Sequence, residues 1–440
     1  MTPIGSEAQT HPARRGRAVY TLAVLIVAYV LSFLDRQILS MLVEPLRRDL
    51  KLSDTQISLL MGFTFASFLA VAGLPLGRLL DTRRRLTILA LGIAAWSLAT
   101  ASSAFAGSFA MLLLCRMGVG IGEATLTPAA HSLIADMFPA KRLGLALGIF
   151  GIGSYLGAGF ASIVGGAVVS LLDHGQWAPW PVLNLNRPWQ TVFLLVGLPG
   201  LLVAFWVSTL REPRRMRAPP STTSLRALLI EYRTPARSLL LVNFTAAMTA
   251  MAIYSLQAWG PTFWMRTFGW GAALAGKVFG LVTIGAGLCG VIAGGVLGDL
   301  AVARGVSNGR LIVMTTSSAL GAPCALAFSL AKDPYSSVVW LIITTLLLTC
   351  SLGILPSAQQ ALVHSRMRAV TAALGVLTIN LIGLGVGPTA IALITDHGFH
   401  DPSMLRYSLS VGLPFMLLVS ALIGASALRS YKVAAEATAC

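Results

Sequence analysis

Charge is scarce in this sequence. Only 11% of its 440 residues are charged, and only 16 are acidic. An ordinary soluble domain carries about 25%, so a water-facing globular surface is excluded. Cysteine is also sparse. There are five, at Cys115, Cys289, Cys324, Cys350 and Cys440. Four lie in apolar runs and none forms a CxxC pair, which excludes a disulfide framework and a zinc site. No nucleophile elbow and no phosphate-binding glycine loop is present, which argues against an enzyme. Nothing calls for a cofactor or a metal. The first 17 residues are polar and basic. The apolar run after them is too long for a signal-peptide core and lacks a small-residue cleavage site, so it is expected to be retained as a span.

What is present is apolar sequence: 56% hydrophobic residues and a mean hydropathy of +0.78. Long apolar segments recur from end to end. In lipid the backbone must satisfy its own hydrogen bonds, and these runs far exceed barrel strands, so helices are the expected spans. The pattern predicts an all-α membrane protein with about twelve spans. They cover 18–43, 55–80, 86–106, 108–137, 143–172, 190–210, 239–265, 272–303, 310–331, 335–363, 370–395 and 405–429. The expected organisation is a tail (1–17), a six-helix bundle (18–210), a linker (211–238), a second six-helix bundle (239–430) and a second tail (431–440).

The net charge of +16 would suggest nucleic acid on a soluble protein. Here the basic residues segregate by side. The side with both termini holds 22 Lys and Arg and the other 8, with Arg36 and Arg116 completing the 32. Under the positive-inside rule both termini are cytoplasmic, in a multi-pass protein of the inner (plasma) membrane. No nucleic-acid partner is then needed.

The halves echo each other. GRLLD (77–81) ends the second span and GVLGD (295–299) the eighth, 218 residues on. Pro128 matches Pro356, and Gly153 and Gly157 match Gly383 and Gly387. Two pseudo-symmetric bundles with a site between them near the midplane are a common secondary-transporter plan.

The stretch SFLDRQILS (32–40) places Asp35 and Arg36 at the end of an apolar run, roughly 27 Å along a helix from Arg17. The fourth span carries CRMGVGIGEAT (115–125), where Arg116 and Glu123 share a face two turns apart. Each charge would cost about 2.5–3.5 kcal/mol unpaired in lipid. The expectation is an internal cluster in which Asp35 faces Arg116, and Glu123 faces water or Arg36. Asp35 and Glu123 would be the proton-carrying acids, with the two arginines as counter-ions. A second reading is a fixed ion pair that locks the first span to the fourth.

GRLLDTRRRL (77–86) is expected to form a cytoplasmic gate through Gly77, Asp81, Arg83 and Arg85, with Gly295 and Asp299 as counterparts in the second half. Topology alone would also explain the three arginines. Gly148, Gly151, Gly153, Gly157 and Gly159 form a small-residue stripe expected to pack the halves together, as does INLIGLGVGP (379–388). Polar and aromatic groups at mid-span nominate a substrate cavity: Tyr29, His131, Tyr155, Asn243, Tyr254, Gln257, Gln359 and Asn380. His131 reads first as a satisfied helix-end histidine, and each of the others alone reads first as a packing residue.

Together, the twelve spans, GRLLDTRRRL, LSFLDRQILS and RMGVGIGEATLTPAAHSLIADMFP resemble the major facilitator superfamily, and more narrowly its spinster-type branch with bacterial members. The resemblance spans the chain and is sharpest over residues 29–160. It implies an alternating-access carrier without cofactor, acting as a monomer, in which acids at the places of Asp35 and Glu123 couple protons beside Arg36 and Arg116. It also implies a lysolipid-type or amphipathic anionic cargo moved outward. Thr82 and Arg84 depart from the family's usual loop motif. Gly157 is followed by Ala158 rather than proline, which counts against a multidrug antiporter. An organic-acid importer of the anion:cation symporter type stays open, because those proteins also carry an Asp-Arg pair in the first span. A passive channel is the remaining alternative.

Overall fold

A computed structural model describes residues 12–173, 187–213, 215, 236–364 and 367–439. Residues 1–11 of the expected first tail, and 214 and 216–235 of the expected linker, lie outside the described residues. Among the described residues twelve helices are long and apolar enough to cross a membrane: Gly16–Met41, Asp54–Thr82, Arg85–Phe105, Phe109–Met137, Arg142–Leu171, Pro188–Ser208, Ala236–Phe268, Ala272–Ala303, Gly309–Leu330, Pro334–Gln360, Val370–Phe399 and Pro402–Thr438. Their ends fall within a few residues of the sequence expectation, except that the last helix runs on to Ala439 through the stretch expected as a tail. An even number of crossings puts the start of the first span and the end of the last on one face, called here the termini face.

Local chemistry shapes several helices. Pro128 has no N–H for the Ala124 carbonyl, and the fourth span breaks there into Phe109–Glu123 and Leu126–Met137. Glu123 is therefore the last residue of a half-helix. The second span widens into a π-helical turn at Leu59–Phe63, and the eleventh does the same at Ile379–Leu384. Asp333 caps the tenth span by accepting the Ser336 N–H at 2.9 Å. That hydrogen bond, with one from the Ser336 hydroxyl, holds the Asp333 carboxyl below its ordinary range.

The apolar core shows how the halves meet. On the face opposite the termini one continuous core joins Ile38, Leu42 and Phe193 of the first half to Trp259, Phe263 and Leu409 of the second. Toward the termini face the core divides. One part, around Leu89, Trp96 and Phe150, belongs to the first half, with Leu384 and Tyr254 reaching it from the second. The other, around Met314, Ile354 and Tyr431, belongs to the second half. The halves are thus sealed on the opposite face and part toward the termini face.

The glycine stripes divide their labour differently from expectation. A Cβ on Gly157 would come within 2.4 Å of the Val30 carbonyl, and one on Gly387 within 2.6 Å of the Met251 carbonyl. Their repeat-mates therefore pack the fifth span on the first and the eleventh on the seventh, inside each half. Contact between halves falls to Gly159 against Gly280 and Gly166 against Ala272, where the fifth span meets the eighth. Gly148 and Gly151 have open space around them. Close approach at every fourth residue suits packing on whichever helix lies opposite, so the stripe alone does not name its partner.

Candidate functional site

The Glu123 carboxylate lies at the centre of the first half, 2% exposed as a residue. Its Oε2 accepts hydrogen bonds from Arg36 Nε at 2.7 Å and from Ser32 Oγ at 2.6 Å, and Arg36 Nη2 lies 2.7 Å away. Ser32 and Arg36 are one turn apart on the first span, so both face the fourth. The Arg36 guanidinium also stacks over Phe33 at 4.7 Å and Phe65 at 4.6 Å. Phe65 is fully buried, and Arg116 lies 5.6 Å from the same ring. One aromatic ring from the second span thus serves both cations.

Asp35 and Arg116 do not form the expected ion pair. Arg116 Nε donates to the Leu60 carbonyl at 3.2 Å and Nη1 to the main-chain carbonyl of Asp35 at 3.4 Å. The Leu60 carbonyl lies within the π-helical turn Leu59–Phe63 of the second span. The Asp35 side chain is fully buried, and neither of its oxygens has a hydrogen-bond partner among the described residues. Arg116, Glu123 and Arg36 act on it electrostatically, and the Thr100 hydroxyl bears on it without reaching good hydrogen-bond geometry.

Arg36 also lines a narrow cleft between the two halves. Its walls include Phe33, Gln37, Ser40, Met61, Tyr254, Gln257, Leu384 and Pro388. Of the nominated cavity residues, Tyr254 and Gln257 line it. Gln359 and Asn243 instead bond each other at 2.6 Å, buried between the tenth and seventh spans. Tyr29 stacks on Phe150 at 4.3 Å, and His131 is exposed with its edge toward the same ring. Tyr155 packs against Gly287 of the eighth span, and Asn380 is half-buried in the eleventh span's π-helical turn. Gln37 and Ser40 follow the Asp-Arg pair within one turn and could have been nominated by that spacing.

The nominated gate residues lie at the termini face, each within its own half. Arg85 bonds Asp136 at 2.6 Å, Ser132 and Glu212, and Arg215 caps the second span through the carbonyls of Leu80, Asp81 and Arg83. The Asp81 and Arg83 side chains are exposed, and Gly77 and Gly295 have open space around them. Asp299 pairs with Arg310 of the ninth span at 3.1 Å. Among the described residues the cross-half ion pairs lie on the opposite face and were missed from sequence: Arg266 reaches Asp54 at 2.5 Å and Glu44 at 2.6 Å, and also donates to the Pro402 carbonyl of its own half. A cross-half hydrogen bond joins them there, with Asp396 accepting from the Thr55 N–H and hydroxyl at 2.7 Å. Their signal was weak, because each residue reads as an ordinary loop or helix-end charge.

This geometry agrees with known proteins. Residues 25–390 match the family model described as Major Facilitator Superfamily. An MFS-type efflux pump of Mycolicibacterium smegmatis is 31% identical over 94% of this chain and 93% of that protein. Protein spinster homolog 1 of Homo sapiens is 29% identical over 93% of this chain and 79% of that one. A crystal structure of a bacterial homologue of the human lysosomal transporter Spinster, inward-facing and occupied, superimposes with a TM-score of 0.77 at 26% identity, covering 96% of this chain and 97% of that one. With a family model over most of its length, two six-helix halves and a buried Arg36–Glu123 pair beside the cleft between them, the chain belongs to the Major Facilitator Superfamily, in its spinster-like branch, and is a membrane transporter rather than an enzyme.

Proposed function

We propose that the protein is a proton-coupled, alternating-access exporter of an amphipathic organic anion or lysolipid, working as a monomer in the inner membrane with both termini cytoplasmic. One observation carries the reading: the same guanidinium, Arg36, bonds the buried Glu123 carboxylate and lines the cleft between the halves. An anionic head group entering the cleft competes with Glu123 for Arg36. Release of Arg36 leaves the buried Glu123 carboxylate without its partner, and in this reading a proton takes the place of the arginine. Asp35, one residue before Arg36, is the second acid of the exchange. The apolar walls at Phe33, Met61 and Leu384 suit a hydrophobic body behind such a head group.

The parted termini face makes this the conformation that loads from the cytoplasm, consistent with the basic residues gathered there. Gly77, Asp81, Arg83, Arg85, Gly295 and Asp299 would then meet across the halves when that face closes. The efflux function of the Mycolicibacterium relative supports outward movement. The relation of the crystallised homologue to the human lysosomal transporter Spinster supports the branch from which the lysolipid reading comes.

The test is flux of a labelled lysophospholipid in proteoliposomes under an imposed pH gradient. Asp35→Asn and Glu123→Gln are each expected to abolish gradient-driven flux while leaving a folded, monodisperse protein. Full gradient-driven flux in both variants would overturn the coupling. Flux of small organic acids but of no lysolipid would favour the importer reading.

A further inference from the structure

The third span crosses behind the cleft and carries hydroxyls at one-turn spacing: Ser97, Thr100 and Ser103. All three are fully buried. Ser97 Oγ and Thr100 Oγ1 have no hydrogen-bond partner among the described residues, and neither do the two Asp35 oxygens. Thr100 is the side-chain donor that bears on the Asp35 carboxylate. Ser97 sits one turn back, against Gly200 of the sixth span, where Leu31 also reaches. Leu31 is one turn before Asp35, so Ser97 and Thr100 track the Asp35 face of the first span along one shared seam. In the other direction lies Ser103, which donates to the Ala99 carbonyl at 3.2 Å and sits beside the Cys115 thiol of the fourth span. Beyond it the chain surfaces at Phe105, Gly107 and Ser108, on the face opposite the termini.

Buried polar atoms left unpaired are costly, and sites with several converging polar groups hold water. Here a carboxylate and two hydroxyls converge in one seam. The seam is walled from the cleft by the first span itself: Arg36 faces the cleft, and Asp35 points away into the half. The charged groups acting on Asp35 are Arg36 from its own helix and Arg116 and Glu123 from the fourth. The sixth span offers no titratable side chain, and the third has none at this depth.

We propose that Thr100 and Ser103 form a hydrated proton path on the third span, which connects Asp35 to the face opposite the termini without passing through the substrate cleft. The inference rests on the reading of Asp35 as a proton-carrying acid. Each hydroxyl or water accepts a proton on one lone pair and releases its own hydrogen to the next, so one proton added at the surface becomes one O–H on the Asp35 carboxyl. No group in the path changes its net protonation. Separate routes let Asp35 gain its proton from the face to which the substrate cleft is closed. A coupled carrier needs this if proton and cargo are to move in opposite directions.

The experiment needs no identified substrate. Full-length protein in lipid is moved from H2O to D2O buffer, and the infrared carbonyl stretch of protonated Asp35 is followed, assigned by its loss in Asp35→Asn. Thr100→Val, which keeps the shape and removes the hydroxyl, is expected to slow deuteration of that band by about tenfold, the factor for one lost hydrogen bond in the transfer barrier. Thr100→Ser is expected to restore it, and Ser103→Ala with Thr100→Val to slow it further. A purely structural effect of Thr100→Val would shift the melting midpoint without altering the exchange rate. Deuteration at the wild-type rate in a folded double variant would overturn the path. Absence of any Asp35 band between pH 4 and pH 9 would overturn the proton-carrying reading of Asp35 and the path with it.

Discussion

Arg36 shows how much one side chain does here. Its Nε and Nη2 both reach the same Glu123 oxygen at 2.7 Å, and its planar face lies on Phe33 and Phe65. Lysine has neither the fork nor the flat face, so Arg36→Lys is not a conservative change. Removing one partner of a buried ion pair costs about 3–5 kcal/mol, because the other charge is left uncompensated. Arg36→Met is therefore expected to lower the melting midpoint at pH 8. Pairing it with Glu123→Gln should recover much of the loss, and thermal unfolding of the four proteins of that cycle measures it. The pairing of these two residues was legible in the sequence because charges in apolar runs must find each other. The role of Arg116 was not, because its acceptors are main-chain carbonyls, which no residue type announces. Thr100 was equally silent, since a threonine in an apolar helix carries no cost that demands explanation.

Among the elements, the second and eleventh spans are the pair whose geometry departs most from a regular helix. Their π-helical turns meet where Gly62 lies against Leu384, and a Cβ on Gly62 would come within 2.2 Å of the Leu384 carbonyl oxygen. That acceptor is main chain and cannot swing aside. Gly62→Val is thus expected to force these two spans apart on the face opposite the termini. A cysteine placed at the fully buried Ser58, one turn away, should react with a water-soluble maleimide faster in the Gly62→Val background than in its absence; unchanged labelling would mean that the contact does not hold that face shut. Span positions were legible because hydropathy over some twenty residues averages out local detail. The π-helical turns were not, because they follow from one extra residue per turn and no composition marks them. The break after Glu123 had a visible cause in Pro128, yet the matching Pro356 sits within the unbroken helix Pro334–Gln360. Proline therefore marks where a helix is weak without saying whether it parts.

At the scale of the whole molecule the balance between conformations is set by what ties the halves together. The opposite face is held by Arg266 of the seventh span, whose side chain is 8% exposed and which binds Asp54 and Glu44 of the first half. At the termini face the ion pairs around Arg85 and Arg310 stay within their own halves in this conformation and do not tie the halves together. A carrier alternates only if the two states lie within a few kcal/mol, and about 5.5 kcal/mol suffices to move a population from 1:99 to 99:1. Loss of a buried cross-half ion pair, at about 3–5 kcal/mol, is large on that scale. Arg266→Gln is therefore expected to shift the protein toward a state closed at the termini face. Gly77 and Gly295, open to space on the two halves at that face, are natural positions for spin labels in a cysteine-free background. The distance distribution between them should gain a shorter component in Arg266→Gln, and gain more of it when Gly62→Val is added. The two changes remove independent ties, one ionic and one steric, so their effects on the population ratio should multiply. A distribution unmoved by either change would mean that the balance is set within the halves and not by the seal between them.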